Sequence, residues 1–106
     1  MYYVYMLRCS DNSLYTGMTN DFEKRYNQHF SKSKDCAKYT RSRQVISVAA
    51  LWKTNSKSDA LKLECRIKQL PKAKKELLVS NPGLFKELFE DKLNYETYQY
   101  LNEALN

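Results

Sequence analysis

Five side chains along this sequence have the types needed to cut a phosphodiester: Tyr5, Tyr15, Arg25, His29 and Glu64. A carboxylate can hold a divalent ion, an arginine can hold a phosphate oxygen, and a phenol or imidazole can take a proton from water. Taken singly, each has a plainer role. Arg25 reads as a solvated charge lying along its helix, and His29 as a packed or surface ring. Glu64 reads as half of a salt bridge with an arginine at the edge of the core, because a buried carboxylate needs a partner. The chemistry requires all five to converge, so it rests on the elements that carry them.

Residues 2–9 (YYVYMLRC) are almost wholly apolar or aromatic and read as a strand with little exposure on either face. Asp11, Asn12 and Ser13 supply turn chemistry, and Leu14–Thr19 reads as the second strand of an antiparallel hairpin. Strand alternation puts Tyr15 and Gly17 on one face, with Leu14, Thr16 and Met18 on the other. Gly17 leaves room for something to approach the backbone closely. Thr19 or Asn20 can cap a helix beginning at Asp21, in which Arg25 and His29 flank the stripe of Phe22, Tyr26 and Phe30. Val45–Leu51, extended by Trp52, is a third strand by its β-forming residues. Ser56 and Asp59 have capping-box spacing, and a helix runs from there to about Leu70, ended by Pro71. On it Glu64 sits at the margin of the buried stripe of Ala60, Leu63, Ile67 and Leu70. Residues 72–79 read as a short basic helix, Asn81-Pro82-Gly83 as a break, and LFKELFEDKL as a helix. Residues 95–105 read as one more helix through Tyr95, Tyr98, Leu101 and Leu105.

At 106 residues the chain makes one ordinary domain. The net charge of +6 is unevenly placed. Residues 1–79 carry 16 of the 18 basic side chains and 7 of the 12 acidic ones, so a basic body is followed by an acidic tail. Such a body suits a polyanionic partner. Residues 31–44 hold five basic side chains and one acid among serines and threonines, and read as a loop able to lie against phosphates, with Tyr39 available for stacking. No run of 18 apolar residues is present, which excludes a membrane-spanning helix, and the first residues do not read as a signal peptide. Cys9, Cys36 and Cys65 form no CxxC pair, so free thiols in a reducing cytoplasm are the simple expectation. With one histidine, a structural zinc site is not expected.

Spaced in this order, the residues resemble the GIY-YIG nuclease superfamily. The nearest likeness is to its small stand-alone bacterial group (UPF0213-like), which is related to structure-specific nucleases of branched DNA. Tyr3-Val4-Tyr5 stands for the first motif and Tyr15-Thr16-Gly17 for the second; Arg25 follows ten residues after Tyr15 and His29 four later. Lys38-Tyr39-Thr40-Arg41 and the segment from Ser58 through Glu64 to Lys75 extend the likeness, which covers residues 1–79. The resemblance implies that Tyr5 orients water or the other tyrosine, and that Tyr15 lies beside the scissile phosphate as a general base. It implies that Arg25 and His29 meet the phosphate and that Glu64 binds one weakly held Mg2+, with Mn2+ a possible substitute. Lys24, Arg25, Lys34, Lys38, Tyr39, Arg41 and Arg43 would contact nucleic acid. The sequence departs from the family at Tyr3 (for glycine) and Thr16 (for isoleucine). It lacks an asparagine in Leu70–Val79, and it shows no signal for an accompanying DNA-selecting domain.

The expected fold is therefore α/β: a three-stranded antiparallel sheet in the order β-β-α-β-α, plus C-terminal helices. Residues 1–79 form the nuclease-like domain, and residues 80–106 form a helical extension packed on it or on a partner. The expected function is metal-dependent hydrolysis of DNA, on branched or damaged duplexes, in the cytoplasm and away from membranes. Two other readings stand beside it: a nucleic-acid-binding module with little catalysis, and an interaction or dimerisation domain working through residues 80–106.

Overall fold

The computed structural model of the protein describes residues 1–31, 43–89 and 92–101. Strands β1 (Tyr2–Cys9) and β2 (Leu14–Thr19) form the hairpin, followed by helix α1 (Phe22–Ser31) and strand β3 (Val45–Thr54). Helices α2 (Lys57–Gln69) and α3 (Lys72–Ser80) come next, then a 3-10 turn (Pro82–Leu84) and the short helix α4 (Phe85–Phe89). A second 3-10 turn (Tyr95–Thr97) leads into strand β4 (Gln99–Tyr100).

The sheet has four antiparallel strands in the order β2-β1-β3-β4, not the three expected from sequence. The correction lies in residues 95–101. Tyr95, Tyr98 and Leu101 have helical spacing, yet Tyr98 and Tyr100 also have the period of a strand, and the strand wins because the edge of β3 is there to pair with. Trp52 lies opposite Tyr100, and the Leu101 N–H donates to the Leu51 carbonyl at 2.8 Å. Tyr98 and Tyr100 thereby face one side of the sheet while Leu101 packs on the other. The Tyr98 hydroxyl closes the arrangement by donating to the Asp59 carbonyl at 2.7 Å.

Each face of the sheet has its own core. On one, Tyr5, Leu7, Cys9, Val45 and Leu51 are covered by α1 through Phe22. On the other, Val4, Met6, Ala50 and Trp52 meet Ala60, Leu63 and Ile67 of α2, Leu78 of α3, and Phe85 and Phe89 of α4. β1, buried on both faces, is the central strand, which accounts for its unbroken apolar run. β3 skips Ala49 and Ile46 in its pairing with β1, which sets Val48 opposite Leu7 and Val45 opposite Cys9 on the α1 face.

Local chemistry sets the element ends. Asp21 opens α1: its carboxylate accepts from the Lys24 N–H at 3.2 Å, while Thr19 Oγ1 accepts from the Asp21 N–H at 3.1 Å. The cap thus falls one residue later than the spacing of Thr19 and Asn20 suggested. Ser56 caps α2 as expected, accepting from the Asp59 N–H at 3.0 Å and donating to its carboxylate at 2.8 Å. The hairpin turn is tied to α3. Arg8 donates to both carboxylate oxygens of Glu76 at 2.6 Å each, and Lys72 Nζ reaches the Asn12 carbonyl at 2.8 Å. Asn12 itself takes a positive φ of 67°, which its short polar side chain tolerates in a turn.

A tyrosine, histidine and arginine cluster at the hairpin edge

Tyr5 stands at the centre of the candidate site. It lies on β1 opposite Gly17 of β2, with 1% of its surface exposed, and its ring reaches across the glycine. A Cβ placed on Gly17 would come within 2.5 Å of the Tyr5 hydroxyl oxygen and 2.7 Å of Cζ. The glycine is therefore needed for space and not for backbone freedom, since its φ is not positive. Tyr15 lies two residues from Gly17 on the same face, its ring centroid 6.3 Å from that of Tyr5.

Helix α1 supplies the next two groups. His29 is completely buried, its Nε2 is 3.0 Å from the Tyr5 hydroxyl, and its ring centroid is 5.2 Å from that of Tyr15. Burial, aided by the charge of Arg25, lowers the His29 pKa to about 4, so the imidazole is neutral at neutral pH. Burial also raises the Tyr5 pKa to about 12. A hydrogen bond from Arg25 and its charge work against that rise, and the charges of Tyr15 and Glu64 add to it. Arg25 is half-buried and also donates to Gln28 Oε1 at 2.9 Å.

Glu64 stands on α2, which packs on the other face of the sheet, and its charge is felt at Tyr5. Its helix packs on the edge strand β2 as well as on β1 and β3. The carboxylate is 19% exposed and pairs with Lys68 at 3.6 Å, a lysine one turn on where an arginine was the expected partner. Tyr5, Tyr15, Arg25 and His29 thus gather at the hairpin edge, and the charge of Glu64 acts on Tyr5 from α2.

The nucleic-acid candidates divide. Arg25 belongs to the cluster. Arg43 donates to Asp11 of the hairpin turn at 2.9 Å. Lys24 points away, lining a recess of ≈ 530 Å³ on the outer side of α1 beside Asp21 and Glu23. Lys34, Lys38, Tyr39 and Arg41 lie outside the described residues, as does Cys36. Cys9 is buried and Cys65 exposed, both as free thiols. Two features of this region went unread in the sequence: the Arg8–Glu76 clamp, for which 68 residues of separation left no signal, and Lys68, whose i+4 spacing from Glu64 was a signal.

Among the described residues no three or more His, Cys, Asp or Glu side chains form a metal cage. A lone half-buried carboxylate such as Glu64 fits a hydrated Mg2+ or Mn2+, which keeps most of its ligands as water and substrate phosphate; it does not fit zinc. No helix among the described residues is long and apolar enough to cross a membrane.

Residues 1–76 match the GIY-YIG catalytic domain. The UPF0213 protein FN1575 of Fusobacterium nucleatum is 45% identical over 84 residues, covering 79% of this chain and 82% of its own. The UPF0213 protein VNG_2274C of Halobacterium salinarum is 44% identical over 78 residues, 74% of this chain and 99% of its own. The solution NMR structure of the UPF0213 protein BH0048 from Bacillus halodurans is 38% identical, with a TM-score of 0.51, covering 89% of this chain and all of that one.

Proposed function

Because this chain belongs to the GIY-YIG family, with the UPF0213 proteins among its relatives, we propose that it is a divalent-metal-dependent endonuclease acting on DNA, with branched duplexes as the favoured class. The observation that carries the proposal is the gathering of Tyr5, Tyr15, Arg25 and His29, from three separate elements, at the hairpin edge, with the Glu64 charge felt at Tyr5.

Each side chain then has a role set by its burial. Arg25 holds a nonbridging phosphate oxygen, and its fixed charge stabilises the negative charge that grows there in the transition state, worth roughly 100-fold or more in rate. Half-buried Tyr15 is placed to meet the attacking water, whose oxygen joins phosphorus as the bond to the 3′ oxygen breaks. The products are a 3′-hydroxyl and a 5′-phosphate; the Tyr15 hydroxyl takes the proton lost by water as it passes its own to solvent, and solvent protonates the departing oxygen. Tyr5 keeps its own proton and acts as a donor, because its pKa near 12 leaves the phenolate scarce at neutral pH. His29, fully buried and neutral, serves as the fixed partner of that hydroxyl and is a positioning residue. Glu64 would hold the metal ion, which when bound neutralises charge on the phosphate.

The test is a panel of labelled duplex, single-stranded, flap and four-way-junction DNA, with Mg2+ or with EDTA. Metal-dependent cuts on a branched substrate, leaving 3′-hydroxyl ends, support the proposal. Binding without cleavage in both Mg2+ and Mn2+ would overturn it in favour of a binding module.

A further inference from the structure

The four basic side chains of α2 are divided between its two flanks. With a helix turning 3.6 residues per turn, Lys57, Leu61, Glu64 and Lys68 fall in one line at i, i+4, i+7 and i+11. That line borders the buried row of Ala60, Leu63 and Ile67 on one flank, with Glu64, whose charge is felt at Tyr5, in its middle. Lys62 and Arg66 lie on the other flank, beside Asp59. At 1.5 Å per residue, Lys57 and Lys68 stand on opposite sides of Glu64, about 10 Å and about 6 Å along the axis. Both lysines are exposed, and so is Leu61, an apolar side chain 46% exposed in the middle of the line. Lys68 Nζ lies 3.6 Å from the Glu64 carboxylate.

We propose that the cleaved strand lies along this stripe of α2, with Lys57 and Lys68 contacting backbone phosphates on either side of the one held at Glu64. The proposal rests on the nuclease reading and adds to it a binding track outside the hairpin-edge cluster. Its chemistry is that of a polyanion backbone: two ammonium groups at separated points, with an apolar side chain between them for a sugar or base edge. Glu64 is the single acid in the line, and Lys68 neutralises it before substrate arrives. With that carboxylate holding a metal ion, the Lys68 ammonium would be free to pair with the neighbouring phosphate. The opposite flank lacks this arrangement, since Lys62 and Arg66 there stand beside Asp59 and away from Glu64.

Binding of a fluorescein-labelled flap duplex, read by anisotropy from 50 to 200 mM salt, tests the track. It is measured in the Glu64→Gln background, so that cleavage does not compete and Lys68 is released from its carboxylate. Lys57→Gln and Lys68→Gln should each make the slope of log K against log salt shallower by about 0.9, one counterion-releasing contact apiece. Lys62→Gln, with the same charge change on the other flank, should leave the slope unchanged. Glutamine keeps helix propensity close to that of lysine, so all three variants should fold. Unchanged slopes for Lys57→Gln and Lys68→Gln, or equal losses in all three variants, would overturn the track. The nuclease reading is scored separately, by cleavage with the parent protein. Metal-dependent cleavage with unaltered slopes removes the track alone, and failure of the parent to bind any nucleic acid removes both.

Discussion

Gly17→Ala probes the packing on which the whole cluster depends. The added methyl would sit 2.5 Å from the Tyr5 hydroxyl oxygen and 2.7 Å from Cζ, well inside van der Waals contact. Tyr5 has no free space to yield into, being 1% exposed, packed against Phe22 at 5.5 Å between ring centroids and held by His29 at 3.0 Å. Overpacking of this kind costs about 1–3 kcal/mol. Separating the buried hydroxyl from His29 adds a further ~1–3 kcal/mol. The reduced freedom of the unfolded chain returns only ~0.4–1 kcal/mol, since the backbone at position 17 suits an ordinary residue. The net expectation is a loss of about 2–4 kcal/mol, which for a domain of this size lowers Tm by at least ~8 °C. Urea unfolding followed by the fluorescence of Trp52, the only tryptophan, measures it directly. Repeating the substitution in a Tyr5→Phe background removes the nearest atom, so the cost there should fall by about 1 kcal/mol. A Gly17→Ala protein as stable as the parent, or an equal cost in both backgrounds, would refute the reasoning.

Three further outcomes follow from the same geometry. His29 is held neutral with a pKa of about 4 against an ordinary 6.5, so the unfolded chain binds the extra proton between those values and stability falls on acidification. Going from pH 7 to pH 5 should cost about 1–2 kcal/mol in urea unfolding, and His29→Gln should remove most of that pH dependence. Glu76, held well below the usual carboxylate range at about 2 by its bonds from Arg8, clamps the hairpin turn to α3. Glu76→Gln should cost about 1 kcal/mol near neutral pH after allowing for its partial exposure, with the difference from the parent shrinking as pH falls through 4 towards 2. Phe85, 3% exposed beside Trp52, Phe89 and Tyr98, joins the C-terminal extension to the core of the sheet. Phe85→Ala should cost about 3–5 kcal/mol and shift the single unfolding transition as a whole, whereas a separate early transition would show the extension folding apart.

The elements that bury a regular stripe were legible in the sequence: the hairpin, α1, β3 and α2 all fall close to their expected bounds, because period and capping chemistry agreed there. The placement of Tyr15 and Gly17 on one face followed from strand alternation, and the open space over Gly17 is filled by Tyr5. The C-terminal strand was not legible. Tyr95, Tyr98 and Leu101 satisfy a helical period, and the deciding partner, the open edge of β3 at Trp52, lies more than 40 residues earlier in the chain. Within the cluster, residue types and order were readable while depth was not. Nothing in the spacing of His29 distinguishes a ring at the surface from one fully buried against a tyrosine hydroxyl. The partner of Glu64 was expected from the core edge and came instead from its own helix, one turn away.

The most direct test of the nuclease account compares the parent protein with Glu64→Gln on the branched DNA that the parent cuts best, in Mg2+, with binding measured in parallel. Glu64 is half-buried on α2, and glutamine preserves its shape while removing the charge that would hold the ion. The account predicts that Glu64→Gln binds the DNA at least as tightly as the parent and cuts it at least 100-fold more slowly. Equal cleavage by the two proteins would contradict it.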